Sequence, residues 1–494
     1  MNRRVLGMLK SVQHHPLLWE VARVAAERGL LPVHLVGGFL RNALLGHRGT
    51  LDIDLVSVDP RALGAALQHR FAGKLICLGA QVRRVVFSRW GERVQVDIAP
   101  LRGGDIVEDL RRRDFTINAL AMALGEEAPH LIDPAGGLQD LRERRIRVGD
   151  PHVLNEDPVR LLRSIRFAAQ LDFRVDGETA RAIRQRASLL AFAAPERLRE
   201  EFFETLRCPT AGHWLSVMDA LALLDTLLPE TRAMRGCPQD HPHRFDVLAH
   251  AVETVRSLDG ILLALPKLLP DEAASLIGPL GATVEGGIHG DALLRFVALL
   301  HDVGKPETRS MKGGRVRFLG HVERGAEMVH QIGRRLRLGS RASAMAVVLV
   351  REHLRPLSLR QVKTITPRAR YRFWRDLGAW GAPLLLLSLA DLRATQGREG
   401  RAFRDHLRFV REMCAFRRER MRASGQKSMG ATVLDGHELM ARMDLAPGAF
   451  VGFLLERLRE EASLGTLTTE EEAVRYLTHH LASLREEFAR GESP

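Results

Sequence analysis

The sequence predicts an α+β fold: a small mixed sheet with helices at the N-terminal end, then an all-helical remainder. Three observations carry this. Short β-rich runs, VHLV, DIDLV, KLICLG, VRRVVFSRW and ERVQVDIAP, are confined to the first 100 residues. Beyond them, apolar residues recur mostly at helical spacing. Aromatics make up only 5% of the chain, so the cores must be built from Leu, Val and Ala, a composition that favours helices. At 494 residues the chain has room for two to four domains.

Taken in order, residues 16–29, PLLWEVARVAAERG, read as a helix that Pro16 opens and Gly29 ends. Next comes VHLVGGFLRNALLGHRGTLDIDLV, 33–56. It starts as a strand, breaks at Gly37-Gly38, passes through a short helical run with Arg41, and returns as a strand carrying Asp52 and Asp54. Side chains on a strand alternate faces, so the two aspartates point one way and Ile53 points into the core. Two convergent carboxylates suit Mg²⁺, which takes oxygen ligands and keeps places for substrate phosphates. Gly37 and Gly38 let the backbone approach a bulky anion and offer it N–H groups. A glycine turn followed by Asp-x-Asp on the next strand points to metal-assisted nucleotidyl transfer.

Residues 61–70 read as a helix, and three β-rich runs follow. The last places Asp97 among Val94, Val96 and Ile98, either as a third carboxylate for the metal or as an ion-paired strand residue. In IVEDLRRRDFTINALAMAL, 106–124, an acidic opening precedes a helix with an apolar core face, and Arg111, Arg112 and Arg113 stand where it packs on the sheet. LIDPAGGLQDLRERRIRVGDP, 131–151, with its Asp133-Pro134 turn and Gly136-Gly137 bend, reads as a hinge.

VLNEDPVRLLRSIRFAAQLDF, 153–173, reads as a helix capped before Pro158. Leu161, Leu162, Ile165, Ala168 and Ala169 form its apolar side. Asp157, Arg160, Arg163 and Arg166 recur every three residues as one polar stripe. Such a stripe either makes ion pairs along the helix or presents Asp157 and Arg160 to the edge of a base. Residues 174–235 continue as helices, PERLREEFFETL at 195–206 being the clearest, with Glu196 and Arg197 structural.

From about residue 240 a second constellation begins. His250, His301-Asp302, His321, His353 and Asp391 fall on successive predicted helices. Imidazoles and carboxylates together can hold a divalent metal and activate a water against a phosphoester. Residues 434–481 are helical, after a basic run, 416–430, that is a linker or part of an RNA path.

The bulk numbers agree with a polyanionic partner. Lys and Arg number 73 against 60 Asp and Glu, a net charge of +13. The four cysteines lie far apart with no CxxC, which excludes a zinc knuckle or disulfide framework and fits a reducing cytosol. No signal peptide is read at the N-terminus. The longest apolar run, near 382–390, is too short to span a bilayer.

GG-x-x-R followed by D-x-D, RRDFTINALA, the motif at 131–151, EDxxR at 156–160 and PERLREEFFETL resemble the class II tRNA nucleotidyltransferase and bacterial poly(A) polymerase family. HDVGKP with the histidine series resembles the HD metal-dependent phosphohydrolases, and GHELM-x4-LAPG the helical module that often follows them. The resemblance implies a polymerase β-like head over 1–145, a helical neck over 146–235, an HD domain over 236–410 and a helical, RNA-holding or scaffold tail over 411–494. It implies Mg²⁺ on catalytic Asp52 and Asp54, with nucleotide bound by Gly38, Arg41, Arg113, Asp157, Arg160, Arg163 and Arg166. It implies a second divalent metal, Mg, Mn, Ni or Co undecided, on His250, His301, Asp302, His321, His353 and Asp391. The expected function is addition or repair of the terminal CCA of tRNA from CTP and ATP, with the protein rather than a template choosing the base. An HD phosphohydrolase activity, such as 2′,3′-cyclic phosphodiesterase or phosphatase, accompanies it. Alternatives are an enzyme adding only CC or only A, a poly(A) polymerase, and an HD phosphohydrolase with an inactive RNA-binding head. LGAQVRRVVF departs from the G-[RK]-[RK]-F strand usual in poly(A) polymerases and weakens that reading. The expected partners are the tRNA acceptor arm and 3′ end with ATP and CTP, in the cytoplasm and with no membrane; the oligomeric state is left open.

Overall fold

The computed structural model describes residues 3–47, 51–79, 81–362, 364–397, 400–423 and 434–491. They fall into two compact units. One is Met1–Thr205 with Val217–Leu227, the other Leu206–Ser216 with Leu228–Pro494.

The first unit is organised on a seven-stranded sheet. Strands β1 (Val33–Val36), β2 (Asp52–Ser57), β3 (Lys74–Leu78), β4 (Val82–Arg89), β5 (Glu92–Pro100), β6 (Ala121–Leu124) and β7 (Leu131–Ile132) lie in the order β3-β4-β5-β2-β1-β6-β7. Only β2 and β5 pair in parallel, which makes the sheet mixed. A parallel pair needs a crossover. The Pro60–Phe71 helix and the β3–β4 hairpin supply it. Ile53 and Leu55 of β2 are in register with Val96 and Ile98 of β5, and all four are buried. The opposite face of the same two strands carries Asp54 beside Asp97.

Residues 106–124 do not form the single helix expected. The helix stops after Ile106–Arg111, a 3₁₀ turn spans Thr116–Asn118, and Ala121–Leu124 becomes β6. This strand inserts between β1 and β7 and is buried almost throughout. A short apolar run buried on both faces has no alternation, so periodicity alone cannot tell it from a helix. The stretch expected as a hinge is packed instead. Asp133 caps the Gly137–Arg142 helix by accepting from Gly137 N at 2.7 Å and Leu138 N at 3.0 Å. Asp140, fully buried, accepts from Thr116 Oγ1, Arg145 and Arg147. A Cβ on Gly137 would meet the Thr116 carbonyl at 2.0 Å. A helix over Arg3–Gln13, unassigned from sequence, buries Val5, Leu9 and Val12. The first unit continues with β8 (Arg145–Ile146) parallel to β9 (Arg174–Val175), and helices Val159–Leu171, Gly177–Arg186 and Pro195–Leu206.

Among the described residues the second unit is helical apart from two hairpins, β10 (Thr283–Glu285) with β11 (Ile288–His289) and β12 (Arg309–Lys312) with β13 (Arg315–Phe318). These correct the all-helical expectation. Each turns on a Gly-Gly pair with positive φ at both residues, 56° and 80° at Gly286-Gly287, 61° and 72° at Gly313-Gly314. Two-residue hairpin loops favour that conformation, and Gly-Gly was its sequence signal. The main helices are Val247–Leu268, Gly290–Leu300, His321–Arg335, Ser340–Glu352, Gly381–Gln396 and Arg401–Ala423. By length and composition the stretch Pro367–Gln396 could cross a membrane, but 78% of its apolar window is buried inside the fold, as in a core helix. The tail helices Gly436–Met443, Ala449–Leu464 and Glu470–Ala489 share a core around Leu439, Leu454, Leu458 and Leu477. Of the basic run at 416–430, residues 424–430 lie outside the described residues.

Candidate functional site

In the first unit, β1 leads into the Gly37–Leu44 helix through Gly37, whose φ is +71°. A Cβ there would lie 2.5 Å from Asp54 Oδ2, so only glycine lets the chain pass this close to the carboxylate. The Gly38 N–H donates to Asp54. Burial, and then repulsion from Asp97, raise the Asp54 carboxyl above its ordinary value. Asp54 and Asp97 line a cavity of about 550 Å³ together with Gly37, Gly38 and a wall of arginines. Asp52 stands exposed two residues earlier on the same strand face, and it is not part of the lining. Asp97 combines both expectations: it lines the cavity and is held by a two-pronged pair with Arg84, 2.7 Å on each side.

The arginine wall is built from buried acceptors. Arg41 donates to Asn118 Oδ1 at 2.7 Å and to Asn42 Oδ1 at 3.1 Å and 3.0 Å, and lies 5.1 Å from the Phe167 ring centre. Burial, and then neighbouring Arg166, push it down to about 10, so it stays a cation at neutral pH. Arg113 is held by buried Asp109 at 3.1 Å. Arg160 lines the cavity and donates to the Val153 carbonyl at 2.8 Å. Arg163 and Arg166 both fasten on Glu201, at 2.8 Å and 2.5 Å, and Arg166 stacks 4.3 Å from Phe167. Sequence reading missed Glu201, Asn118 and Phe167. Their signal was only that they sit inside motifs already marked, RRDFTINALA, SIRFAA and PERLREEFFETL. Of the expected nucleotide residues, Asp157 alone is absent from the cavity lining. It makes a two-pronged pair with Arg197, 3.0 Å and 2.6 Å. Burial works to raise its carboxyl, but the guanidinium outweighs burial and holds it below its ordinary value. Cationic forks over two carboxylates can take a triphosphate and its metal ions.

In the second unit the six expected residues gather in one cluster. His250 comes from the Val247–Leu268 helix and Asp391 from Gly381–Gln396. His301 and His353 sit just past the ends of Gly290–Leu300 and Ser340–Glu352, and His321 opens its helix. Two ligand groups share Asp302: His250 and His301 on one side, His321 and His353 on the other. His250 Nε2 lies 3.1 Å from Asp391 Oδ1, His301 Nε2 3.2 Å from Asp302 Oδ2, and His321 and His353 Nε2 each 3.6 Å from Asp302 Oδ1. The carbonyls of Ala298, Phe318 and Val350 accept from the Nδ1 of His301, His321 and His353 at 2.9, 2.7 and 2.7 Å. A carbonyl only accepts, so each of these Nδ1 atoms carries a proton and each Nε2 faces the carboxylates; against the pull of burial, Asp302 and then Asp391 raise the His301 imidazole above its ordinary value. The buried Nε2 atoms of His250, His301 and His321 and Asp302 Oδ1 have no hydrogen-bond partner. Unsatisfied buried atoms gathered in two groups about Asp302 fit a bound divalent metal. Burial, and then His301, leave His353 at about 4, so it is neutral and free to ligate. Burial opposes ionisation of Asp302, but His301 and Lys305, whose Nζ is 2.6 Å away, hold it well below the ordinary carboxylate range. Missed here were Lys305, also bonded to Gln239 at 2.7 Å, and His243, whose ring lies 5.0 Å from that of His250.

Residues 33–147 match the poly A polymerase head domain, 172–234 the probable RNA and SrmB-binding site of polymerase A, and 274–379 the HD domain. The chain is 35% identical to an A-adding tRNA nucleotidyltransferase of Deinococcus radiodurans, over 89% of this chain and 93% of the relative. It is 31% identical to a CC-adding tRNA nucleotidyltransferase of Geobacter sulfurreducens, over 97% of both. Among solved structures, a complex of a CCA-adding enzyme with CTP superposes with a TM-score of 0.65 over 97% of this chain and 100% of the other, at 21% identity. That likeness carries the fold.

Proposed function

This chain belongs to the tRNA nucleotidyltransferase family, and on that premise we propose that it builds or repairs the 3′-terminal CCA of tRNA from CTP and ATP in the cytoplasm. One observation carries the reading: Asp54 and an arginine wall face one cavity at a glycine turn, with Asp52 exposed two residues earlier on the same strand face. Mg²⁺ held by Asp52 and Asp54 would activate the RNA 3′-hydroxyl and balance the triphosphate charge. Gly38 N–H, Arg41 and Arg113 bind the triphosphate; Arg163 and Arg166, oriented by Glu201, extend the same wall. Arg160 selects the base together with Asp157, which must first leave Arg197. Hydrogen bonds of this kind often tighten or rearrange when substrate enters.

In the second unit, a divalent metal held by His250, His301, Asp302 and Asp391, with His321 and His353, would supply an activated water against a phosphoester. The chain's own part is to turn the Nε2 of His301, His321 and His353 inward by fastening each Nδ1 to a backbone carbonyl, and to hold Asp302 ionised. The reading is a phosphohydrolase for 2′,3′-cyclic or terminal phosphates. The four-domain division expected from sequence is kept as part of this proposal.

A second reading is a partial enzyme. The two relatives above are named for adding A alone and CC alone. Product sequencing decides, using tRNA transcripts ending before CCA, after C and after CC, with Mg²⁺, ATP and CTP. Ordered C, C, A supports the first reading. Stopping after CC, or acting only on the CC-ended transcript, supports the second. Asp52→Ala is expected to abolish incorporation and spare phosphate release, and His301→Ala the reverse. Loss of both by either variant overturns the assignment of two separate chemistries.

A further inference from the structure

Against the histidine–aspartate cluster lies a hairpin that neither proposed reaction uses. β12 and β13, with their Gly-Gly turn, read RSMKGGRVRF: four cations, Arg309, Lys312, Arg315 and Arg317, and no acid. The register pairs Lys312 with Arg315 and Ser310 with Arg317, so three of the cations share one face. The other face is fixed to the cluster. The Phe318 ring centre lies 5.4 Å from Lys305 Nζ, and its carbonyl accepts from His321 Nδ1 at 2.7 Å. Val316 N–H donates to Asp240 at 2.7 Å.

Like charges opposite one another weaken a strand pair. Yet all four cations are exposed, and none forms an ion pair among the described residues. Nearby arginines are paired: Arg295 with Asp259, Arg324 with Glu307, Arg335 with Glu230. Cations left unpaired at intervals of roughly 5–7 Å match a chain of phosphates, whereas a nucleoside monophosphate offers one such group. The outward face has no aromatic side chain for base stacking, so recognition there is by charge and independent of sequence.

We propose that this hairpin is the landing for a single RNA strand whose phosphate-bearing 3′ end enters the histidine–aspartate cluster. The substrate is then the terminal phosphoester of an oligoribonucleotide, not a mononucleotide. This rests on the phosphohydrolase reading of the cluster.

The test uses the full chain and two substrates: a tetraribonucleotide ending in a 2′,3′-cyclic phosphate, and adenosine 2′,3′-cyclic phosphate. The hairpin variant is Lys312→Gln, Arg315→Gln, Arg317→Gln. A charge-matched control carries Lys267→Gln, Arg334→Gln, Arg341→Gln. Turnover with Mn²⁺ or Ni²⁺ is measured, and tetranucleotide binding is read by fluorescence anisotropy on metal-free protein. The hairpin variant should lose about 10- to 100-fold in kcat/KM and in affinity for the tetranucleotide. Its salt slope should fall by about 2 units, ~0.7 per lost contact. Its turnover of the mononucleotide, and both activities of the control, should stay within about twofold. Equal loss on both substrates, equal loss in the control, or unchanged tetranucleotide binding overturns the landing site. Absence of any wild-type turnover, with binding still weakened by the hairpin variant alone, sinks the phosphohydrolase reading and leaves the landing site standing.

Discussion

Replacing Gly37 by alanine tests how the glycine pair shapes the transfer site. At φ +71° an L residue costs ~1–2 kcal/mol. The new Cβ would also stand 2.5 Å from Asp54 Oδ2 and 3.2 Å from its Cγ. Ordinary contact begins at 3.4 Å, so the carboxylate must yield by about 0.9 Å, the difference between 3.4 and 2.5 Å. Asp54 cannot move with its strand, because β2 is hydrogen-bonded to β1 on one side and β5 on the other. The shift therefore falls on its side-chain torsions, at ~1 kcal/mol. Together these predict ~2–3 kcal/mol of lost stability in the first unit. A reacting group displaced by ~1 Å predicts ~10²-fold slower transfer. Gly38→Ala is the internal control, since its Cβ would meet only Arg41 Nη2, at an ordinary 3.5 Å. It should keep wild-type stability and lose less than ~10-fold in rate. Urea unfolding followed by Trp19 and Trp90, with single-turnover incorporation, reads both quantities. A Gly37→Ala protein that transfers at the wild-type rate, or a Gly38→Ala protein harmed as badly, would falsify the steric argument.

The raised Asp54 carboxyl gives a pH prediction with a definite sign. A carboxyl whose pKa is raised on folding is ionised at a cost to stability above that pKa, and at no cost below the unfolded value of ~3.9. Asp54→Asn should therefore melt higher than wild type at pH 8 without metal, match it near pH 3, and lose ~10³-fold in incorporation; a lower melting point at pH 8 contradicts the reasoning. Glu201→Gln removes the shared carboxylate of Arg163 and Arg166 and leaves Arg163 with Asp114 alone at 3.4 Å, for a loss of ~2–4 kcal/mol and a nucleotide KM raised ~10-fold with kcat changed less; unchanged unfolding and unchanged KM would remove Glu201 from the wall. Adding Mn²⁺ or Ni²⁺ to chelator-treated protein should stabilise the second unit by ~2.7 kcal/mol at a hundredfold excess over Kd. His301→Ala should abolish that gain, and a gain retained in the variant would move the metal elsewhere.

Much of the candidate transfer site was legible because its signals are local. Gly37-Gly38, Asp52-x-Asp54 and the arginine stripe at 160, 163 and 166 are each fixed by strand or helix period within a few residues. The histidine series was legible for another reason: His and Asp on apolar helices are costly to bury without a shared partner. What stayed hidden depended on distant residues. Glu201 lies 35 positions from Arg166, and nothing between them marks the pair. Asp157 was assigned to a base by the EDxxR resemblance, while the fold gives it Arg197, 40 residues on.

By itself the sequence determined element type wherever the period was clear, the two carboxylates of β2, and the presence of a second, histidine-rich centre. It could not decide that AMAL, 121–124, is a strand, since burial on both faces erases the alternation that separates strand from helix. Only the tertiary structure set Asp97 beside Asp54, because that neighbour arises from parallel pairing of β2 and β5 across a crossover of three elements. Only it divided the histidine cluster into two groups about Asp302, because the ligands come from separate helices whose packing no local pattern encodes.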